Sequence, residues 1–463
     1  MQILIIIALI IIGVLMFELI IFSHEFGHFI TAKLSGVKVN EFALGMGPRI
    51  FGFTKGETTY SFRLFPIGGY CAMEGEDEES DNPEAFNNAK IWKRMIIIIA
   101  GAVMNIILGF LLMFIFTVQS DSYVSTTVQQ AVPNSFSANC GLQSGDKIVD
   151  VNGYSVWNSR DLQFSLATLK CQEFDGHSVE IYKQDCAVAA CRVYTSLVDE
   201  NTAESESEVY YNILADYCSR INGASDKTEA KNLLDECVKA IYQSYDEIND
   251  TTTDYTLPEI TEKDTRKRFA ADVTVVRDGE KLTLNDVQFY TYYPSKEAEE
   301  SDAPTLAIDF YLESIDKTFG SVLSQTFSQT CSMAKTVWTS LVWLVQGKFS
   351  FTDLSGPVGI ASAVTSVASK GLETGFLDAV NNILFVMILI TVNLGIVNML
   401  PFPALDGGRF LFLMIEGIFR KPIPRKVEQV VNTAGLILLL GFMIIISFKD
   451  VWQLITGTMP GIS

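Results

Sequence analysis

His24 and His28, in the stretch FSHEFGHFI at residues 22–30, stand four apart, and Glu25 directly follows the first of them. On a helix that interval puts both imidazoles on one face with the carboxylate beside them, a metal-ligand spacing. A catalytic zinc keeps three protein ligands and one open position for water, and a neighbouring carboxylate can take that water's proton. The five-residue pattern arises by chance in long chains. Here it uses two of the chain's three histidines and closes an apolar run, where ionisable groups are expensive unless they are used.

Few residues qualify as a third ligand. His177 falls in a long segment expected on the opposite side of the membrane. The stretch NLGIVNMLPFPALDGGRF, residues 393–410, places Asp406 just past about 20 predominantly apolar residues. Pro401 and Pro403 break a helix and free carbonyls, while Gly407 and Gly408 permit close backbone approach. Read without the histidines, this is a helix stop followed by a turn.

The elements that must position these groups are membrane helices. The chain has 463 residues, 48% of them hydrophobic, a mean hydropathy of +0.25 and a formal charge of −20. Membrane segments joined to an acidic, water-facing part explain that mixture. Four runs near 2–23, 94–118, 378–400 and 432–449 are long and apolar enough to span a bilayer. The first lacks a basic leader and a small-residue cleavage site, so it is expected to be a retained span. Lys33 and Lys38, then Lys90, Lys93 and Arg94, then Arg409, Arg420, Lys421, Arg425 and Lys426 mark the cytoplasmic loops. The N-terminus and residues 120–376 are then extracytoplasmic, and His24 and Asp406 lie level in the membrane. The acidity disfavours a nucleic-acid partner. Residues 49–70, RIFGFTKGETTYSFRLFPIGGY, alternate in part and carry Gly/Pro punctuation, which predicts a membrane-associated β-hairpin.

HEFGH followed in order by EFALGMGPRIF, PIGGY, AFNNAKIWKRMIIIIAGAVMN, LSGPVGIA and NMLPFPALDGG resembles the site-2 protease family of intramembrane zinc metalloproteases, of the bacterial RseP/RasP type. The resemblance covers nearly the whole chain apart from one insertion. It implies that His24, His28 and Asp406 are ligands of a Zn2+ ion and that Glu25 activates water for peptide hydrolysis. It further implies that Asn398, in N-x-x-P-x-P-x-L-D-G-G, handles substrate or supports the site, with Asn393 and Asn105 assisting. Asn105 rests on a G-x-x-x-N match from Gly101, with Ala102 where many relatives have proline; a helix-packing amide is the other reading. The family's substrates are single-span membrane proteins such as anti-sigma factors and remnant signal peptides, cut in regulated intramembrane proteolysis. The location implied is the bacterial cytoplasmic membrane, with the active site near its cytoplasmic side. A metal-binding protein or transporter and an inactive PDZ scaffold are the competing readings, and Glu25 argues against the former.

The expected fold is therefore a polytopic α-helical membrane protein with four transmembrane helices, a membrane-associated β-hairpin and an extracytoplasmic PDZ-like α+β domain. Residues 1–120 carry the first two spans, HExxH and the β-loop. Residues 121–300 form the PDZ-like domain, on the resemblance of 131–166 and 271–284, interrupted by an acidic, cysteine-containing insertion at about 185–268. From Asp199 to Arg266 there are 17 acidic and 6 basic residues, spaced for one or two solvated helices. Cys140, Cys171, Cys186, Cys191, Cys218 and Cys237 fall in a region where export permits disulfides; six cysteines allow 15 pairings and the spacing leaves them open, with Cys186–Cys191 and Cys218–Cys237 preferred. Residues 301–376 are expected to hold amphipathic surface helices, with 317–349 lying on the outer leaflet, and 377–463 the last two spans with the LDGG motif. Glu18, seven residues before Glu25, shares its helix face and is expected to line a water route or the substrate cleft; a buried structural acid bonded to a neighbour is the other reading.

Overall fold

The computed structural model describes all residues except 1, 77, 79, 132–135, 199–201, 203, 262–263, 293–297, 299, 301–304, 349–354 and 457–463. Short pieces of the acidic insertion, the start of the 301–376 region and Leu354 of the LSGPVGIA motif thus lie outside the described residues. The chain divides into two compact units, one made of residues 1–121 and 317–463, the other of residues 122–316.

The first unit begins with helix α1 (Gln2–Ser35), followed by strands β1 (Val39–Lys55) and β2 (Thr58–Met73) and helix α2 (Ile91–Gln119). Four helices here are long and apolar enough to cross a membrane, within Ile11–Ser35, Ile91–Gln119, Phe376–Val397 and Lys426–Thr456. Together with the sheets they make a polytopic membrane protein. A helix is the form that closes every main-chain hydrogen bond within its own segment where water is absent. The first span reaches further than its apolar run predicts. α1 continues unbroken past Ser23 to Ser35, so the histidines lie within the helix and not at its end. Helix packing supplies neighbours for HEFGHFITAKLS that the hydropathy of the segment alone does not reveal.

α1 crosses α2 where Gly27 meets the Ala100 carbonyl, an approach that leaves no room for a Cβ. Strand β1 pairs antiparallel with β2, and its residues Glu41–Leu44 are flanked on one side by Thr59–Phe62 and on the other by Gly69–Ala72. The sheet leans on α1 through Phe42 and Tyr60, which meet Phe29 with ring centroids 5.0 and 5.9 Å away. Its far part is apolar and open, with Ile50, Phe51 and Phe65 all more than half exposed. Glu41 ties the sheet across its width: it accepts from Ser61 Oγ at 2.6 Å, Arg63 Nη2 at 2.8 Å and Tyr70 OH at 2.8 Å. Burial would raise the Glu41 carboxyl, but these donors outweigh it and hold the group below its ordinary range.

The second unit is an eight-stranded sheet with helices. Its elements are β3 (Ser122–Ala131), α3 (Phe136–Asn139), β4 (Lys147–Val151), β5 (Tyr154–Ser155), α4 (Ser159–Ala167), β6 (Cys171–Asp175), α5 (Val179–Leu197), α6 (Glu204–Gly223), α7 (Lys227–Asn249), β7 (Thr265–Arg277), β8 (Glu280–Tyr292), β9 (Thr305–Ala307) and β10 (Phe310–Asp316). The strand path is β10-β3-β4-β7-β8-β9, with β5 beside β4 and β6 beside β7. Asn158 starts α4 by accepting the Asp161 N–H at 3.1 Å, the usual work of an N-cap. Helices α5, α6 and α7 stand between β6 and β7 and share a core that includes Leu214, Ile221, Leu234 and Ile241.

The expected disulfides are not formed, and among the described residues all eight cysteines remain thiols. Cys186 and Cys191 lie on one continuous helix, where five residues separate their Cα atoms by about 7.5 Å of rise, beyond disulfide reach. Cys218 and Cys237 are fully buried in the three-helix core and act there as small apolar side chains. Burial pushes the Cys186 thiol up to about 12.

The chain then returns to the first unit with helices α8 (Phe319–Val345), α9 (Pro357–Thr374), α10 (Phe376–Val397), α11 (Asp406–Phe419) and α12 (Arg425–Thr456). α8 packs on α2 and α10 by a face of small polar and apolar residues, with Thr326, Thr330, Ser332 and Met333 buried. Large apolar side chains stand outward on it: Phe319 is 79% and Phe327 64% exposed. The hydroxyls of Thr326 and Thr330 return to Val322 O and Thr326 O, both at 2.8 Å, so burying them leaves no bond unmade. α9 packs on α10 and α12, where Asp450 Oδ2 accepts the Gly356 and Gly359 N–H groups at 2.8 Å each.

Candidate metal centre

Two helices and one loop bring three ligand atoms to a point. His24 and His28 project from one face of α1, their Nε2 atoms 3.2 Å apart. Asp406 Oδ2 lies 3.1 Å from His24 Nε2 and 3.4 Å from His28 Nε2. Ligands on a single tetrahedral ion at about 2.05 Å would sit about 3.3 Å apart, which is the spacing observed. Asp406 Oδ2 is buried and takes no hydrogen bond from either ring, so the three close contacts are those of lone pairs directed at a shared position. The donor set of two imidazoles and one carboxylate suits zinc.

The surroundings orient the rings. His28 Nδ1 is 2.8 Å from the Ile97 carbonyl, which can only accept, so Nδ1 carries the proton and Nε2 keeps its lone pair. Asn105 lies 3.4 Å from His24 Nδ1, and its Oδ1 has no other partner. Turned so that this oxygen faces the ring, the amide accepts from Nδ1–H and fixes His24 in the same tautomer. Thr391 of α10 donates to the Asn105 carbonyl at 3.3 Å. Gly101 of α2 lies directly under both rings, and a Cβ there would collide with His28 Nε2.

Asp406 reaches the site through an irregular loop. α10 ends at Val397, and residues 398–405 fold back with Ala404 at φ +72° before α11 begins at Asp406 itself. The Gly407 N–H donates to the Asn398 carbonyl at 2.7 Å, clamping the loop shut. Gly407 and Gly408 press against the Leu400 and Phe402 carbonyls, where no side chain fits. The carboxylate also stands in the first turn of a helix, where the dipole favours negative charge. Glu25 lies within electrostatic reach of both imidazoles and Asp406 and beside the Cys71 main chain of β2.

Of the residues singled out from the sequence, His24, His28, Asp406, Glu25 and Asn105 come together. Asn398 contributes its main-chain carbonyl to the loop. Asn393 is exposed on α10, whose Thr391, Val392 and Gly395 are buried, and it stands away from the cluster. Glu18 lies two turns from Glu25 on α1. Ile97 and the role of Gly101 in clearing space were not legible, because both follow from where α2 crosses α1; the G-x-x-x-N spacing was the one available signal.

The sequence profile described as peptidase family M50 matches residues 12–442 of the chain. The chain belongs to peptidase family M50. Relatives of this family include the zinc metalloprotease RasP of Bacillus licheniformis, 28% identical over 457 residues, covering 95% of this chain and 98% of that one. The regulator of sigma-W protease RasP of Bacillus subtilis is 26% identical over 450 residues, covering 95% and 97%. A Clostridium acetobutylicum protein, named provisionally as a zinc metalloprotease, is 32% identical over 446 residues, covering 96% and 97%. As an M50 member the chain is a zinc-dependent metalloendopeptidase that acts in regulated intramembrane proteolysis.

Proposed function

We propose that His24, His28 and Asp406 hold the zinc ion and that Glu25 is the general base for hydrolysis of a membrane protein's peptide bond. The observation that carries this reading is the convergence of three ligand atoms 3.1–3.4 Å apart beside that glutamate. Zinc supplies Lewis-acid polarisation of the scissile carbonyl and acidifies water. Glu25 takes the water's proton as the water oxygen adds to the carbonyl carbon, then returns it to the amide nitrogen, so that the C–N bond breaks and a neutral amine leaves. Ile97 and Asn105 keep the ring protons on Nδ1, and Gly101 keeps the space beneath the rings open.

A spanning helix hides its peptide bonds in internal hydrogen bonds, so the substrate must unwind before it is cut. The strand segment Gly69–Cys71 runs beside Ile21 and Glu25, and its outer edge can take an unwound segment as an added strand. Single-span proteins, anti-sigma factors and remnant signal peptides among them, are the substrates of this reading. The residues 122–316 unit is read as an extracytoplasmic PDZ-like domain carrying an α5–α7 insertion, with the N-terminus on its side of the bacterial cytoplasmic membrane. The active site then lies toward the cytoplasm, as the lysines and arginines near α2 and α11 support.

The test is cleavage of a model single-span peptide by the purified protein in lipid. Glu25→Gln is expected to lower turnover by about 10²–10⁴-fold, the usual worth of a positioned base, and chelation to abolish it. Cleavage that survives both would overturn the assignment.

A further inference from the structure

Glu18 is unusual among the acidic groups of the membrane helices. Both its carboxylate oxygens are buried, and the one donor beside them, the Gly45 main-chain N–H, stands outside the geometry of a full hydrogen bond. Among the described residues no charged group acts on it; the polar group beside it is the Gly45 main chain of β1. Asp450, in the same unit, shows what a carboxylate held for the fold looks like: it receives two main-chain N–H bonds. Glu18 has no such closure, so the fold does not account for its presence in an apolar helix.

Its position suggests a use. Seven residues of helix place Glu18 within about 20° of the Glu25 face and about 10 Å along the axis. Glu25 and Ile21 flank Gly69 of the sheet, and Glu18 flanks Gly45. A chain extended along that seam past Glu25 passes Glu18 next. At about 3.3 Å per residue, 10 Å of extended chain is three residues.

From the juxtaposition of this partnerless carboxyl with the hairpin seam, we infer that Glu18 is a specificity-determining residue: it receives a hydrogen-bond-donating substrate side chain, Lys, Asn or Gln, three residues from the cleaved bond. The inference rests on the proposal that Glu25 and the two-histidine, one-aspartate centre perform the cut. A substrate with leucine at that position leaves Glu18 unbonded. One with a donor completes the missing hydrogen bond, which in a membrane interior is worth enough to sort substrates.

The experiment uses the full-length protein in lipid vesicles and a series of single-span peptides. Lys, Asn, Gln or Leu is placed in turn at the first five positions on either side of the cut, and kcat and KM are measured for the natural chain, Glu18→Gln and Glu18→Leu. The natural chain is expected to prefer a donor at the third position on one side by about tenfold over leucine, carried mainly by KM. In Glu18→Leu that ratio falls to about one. Glu18→Gln, the conservative variant, keeps a preference for Asn and Gln and loses that for Lys, and it decides the matter if Glu18→Leu does not fold. A flat positional profile in the natural chain, or a preference that survives Glu18→Leu, overturns the inference. Glu25→Gln on the all-leucine peptide is the separate arm: cleavage there would contradict the catalytic assignment, independently of what Glu18 reads.

Discussion

Carboxylates that brace the sheet unit are treated differently from those beside the metal centre and the hairpin seam of the membrane unit. In the sheet unit, Asp146 has no exposed side chain and receives Arg277 through two bonds of 2.7 Å and the Gln143 N–H at 2.9 Å. Asp161 accepts the Trp157 N–H at 2.9 Å and the Tyr154 hydroxyl at 3.2 Å, and Asp185 holds Arg266 and Arg268 together. In the membrane unit, Asp406 Oδ2 and both oxygens of Glu18 are buried and left open. Closing a carboxylate with donors makes it part of the scaffold, while leaving a lone pair unbonded inside the protein costs stability and persists where a ligand or substrate completes it.

The contrast breaks most visibly at Gly101. Gly101→Ala places a methyl against His28 Nε2, and it is expected to eliminate zinc binding and proteolysis while the helices still form. Metal content and circular dichroism check the two halves of that statement, and retained zinc would show that the rings have room the structure denies them. A carboxylate of the scaffold behaves in the opposite way. Asp146→Ala strands Arg277 and is expected to cost about 3 kcal/mol, the low end for a broken buried pair because Arg277 is 27% exposed. Chemical unfolding of the sheet unit measures that cost, with zinc content of the full chain unchanged.

The smallest expected effect concerns pH. The folded Glu41 carboxyl is held below its ordinary value, so the stability it gives the sheet is complete above that value and is lost as pH falls through the depressed one. Hydrogen exchange at Tyr70–Met73 should therefore quicken on acidification below the ordinary carboxylate range, and Glu41→Gln should remove that dependence.

The part of the site written in local spacing was legible. The four-residue interval from His24 to His28 dictates a shared helix face, and LDGG announces a carboxylate beside a tight backbone crossing. The parts set by one helix against another were not. The Ile97 carbonyl is an ordinary main-chain group, and nothing in its neighbours signals that His28 Nδ1 will find it. The helix over 317–349 was legible from its apolar spacing, and which face packs was not, because Thr326 and Thr330 satisfy their hydroxyls on their own helix and can be buried. The disulfide expectation treated cysteines as export markers, whereas their burial among Leu and Ile makes them core residues. The four spans were legible in number, and the extent of α1 was not, because hydropathy falls at Ser23 while the helix continues against α2.

One measurement bears most directly on the claim that distant segments build a single zinc centre. X-ray absorption at the zinc edge, with metal analysis, on the purified natural chain is expected to show one zinc per chain with nitrogen and oxygen neighbours at about 2.0–2.2 Å, and no zinc in His28→Ala or Asp406→Ala. Sulfur neighbours, or a full complement of zinc in Asp406→Ala, would contradict it.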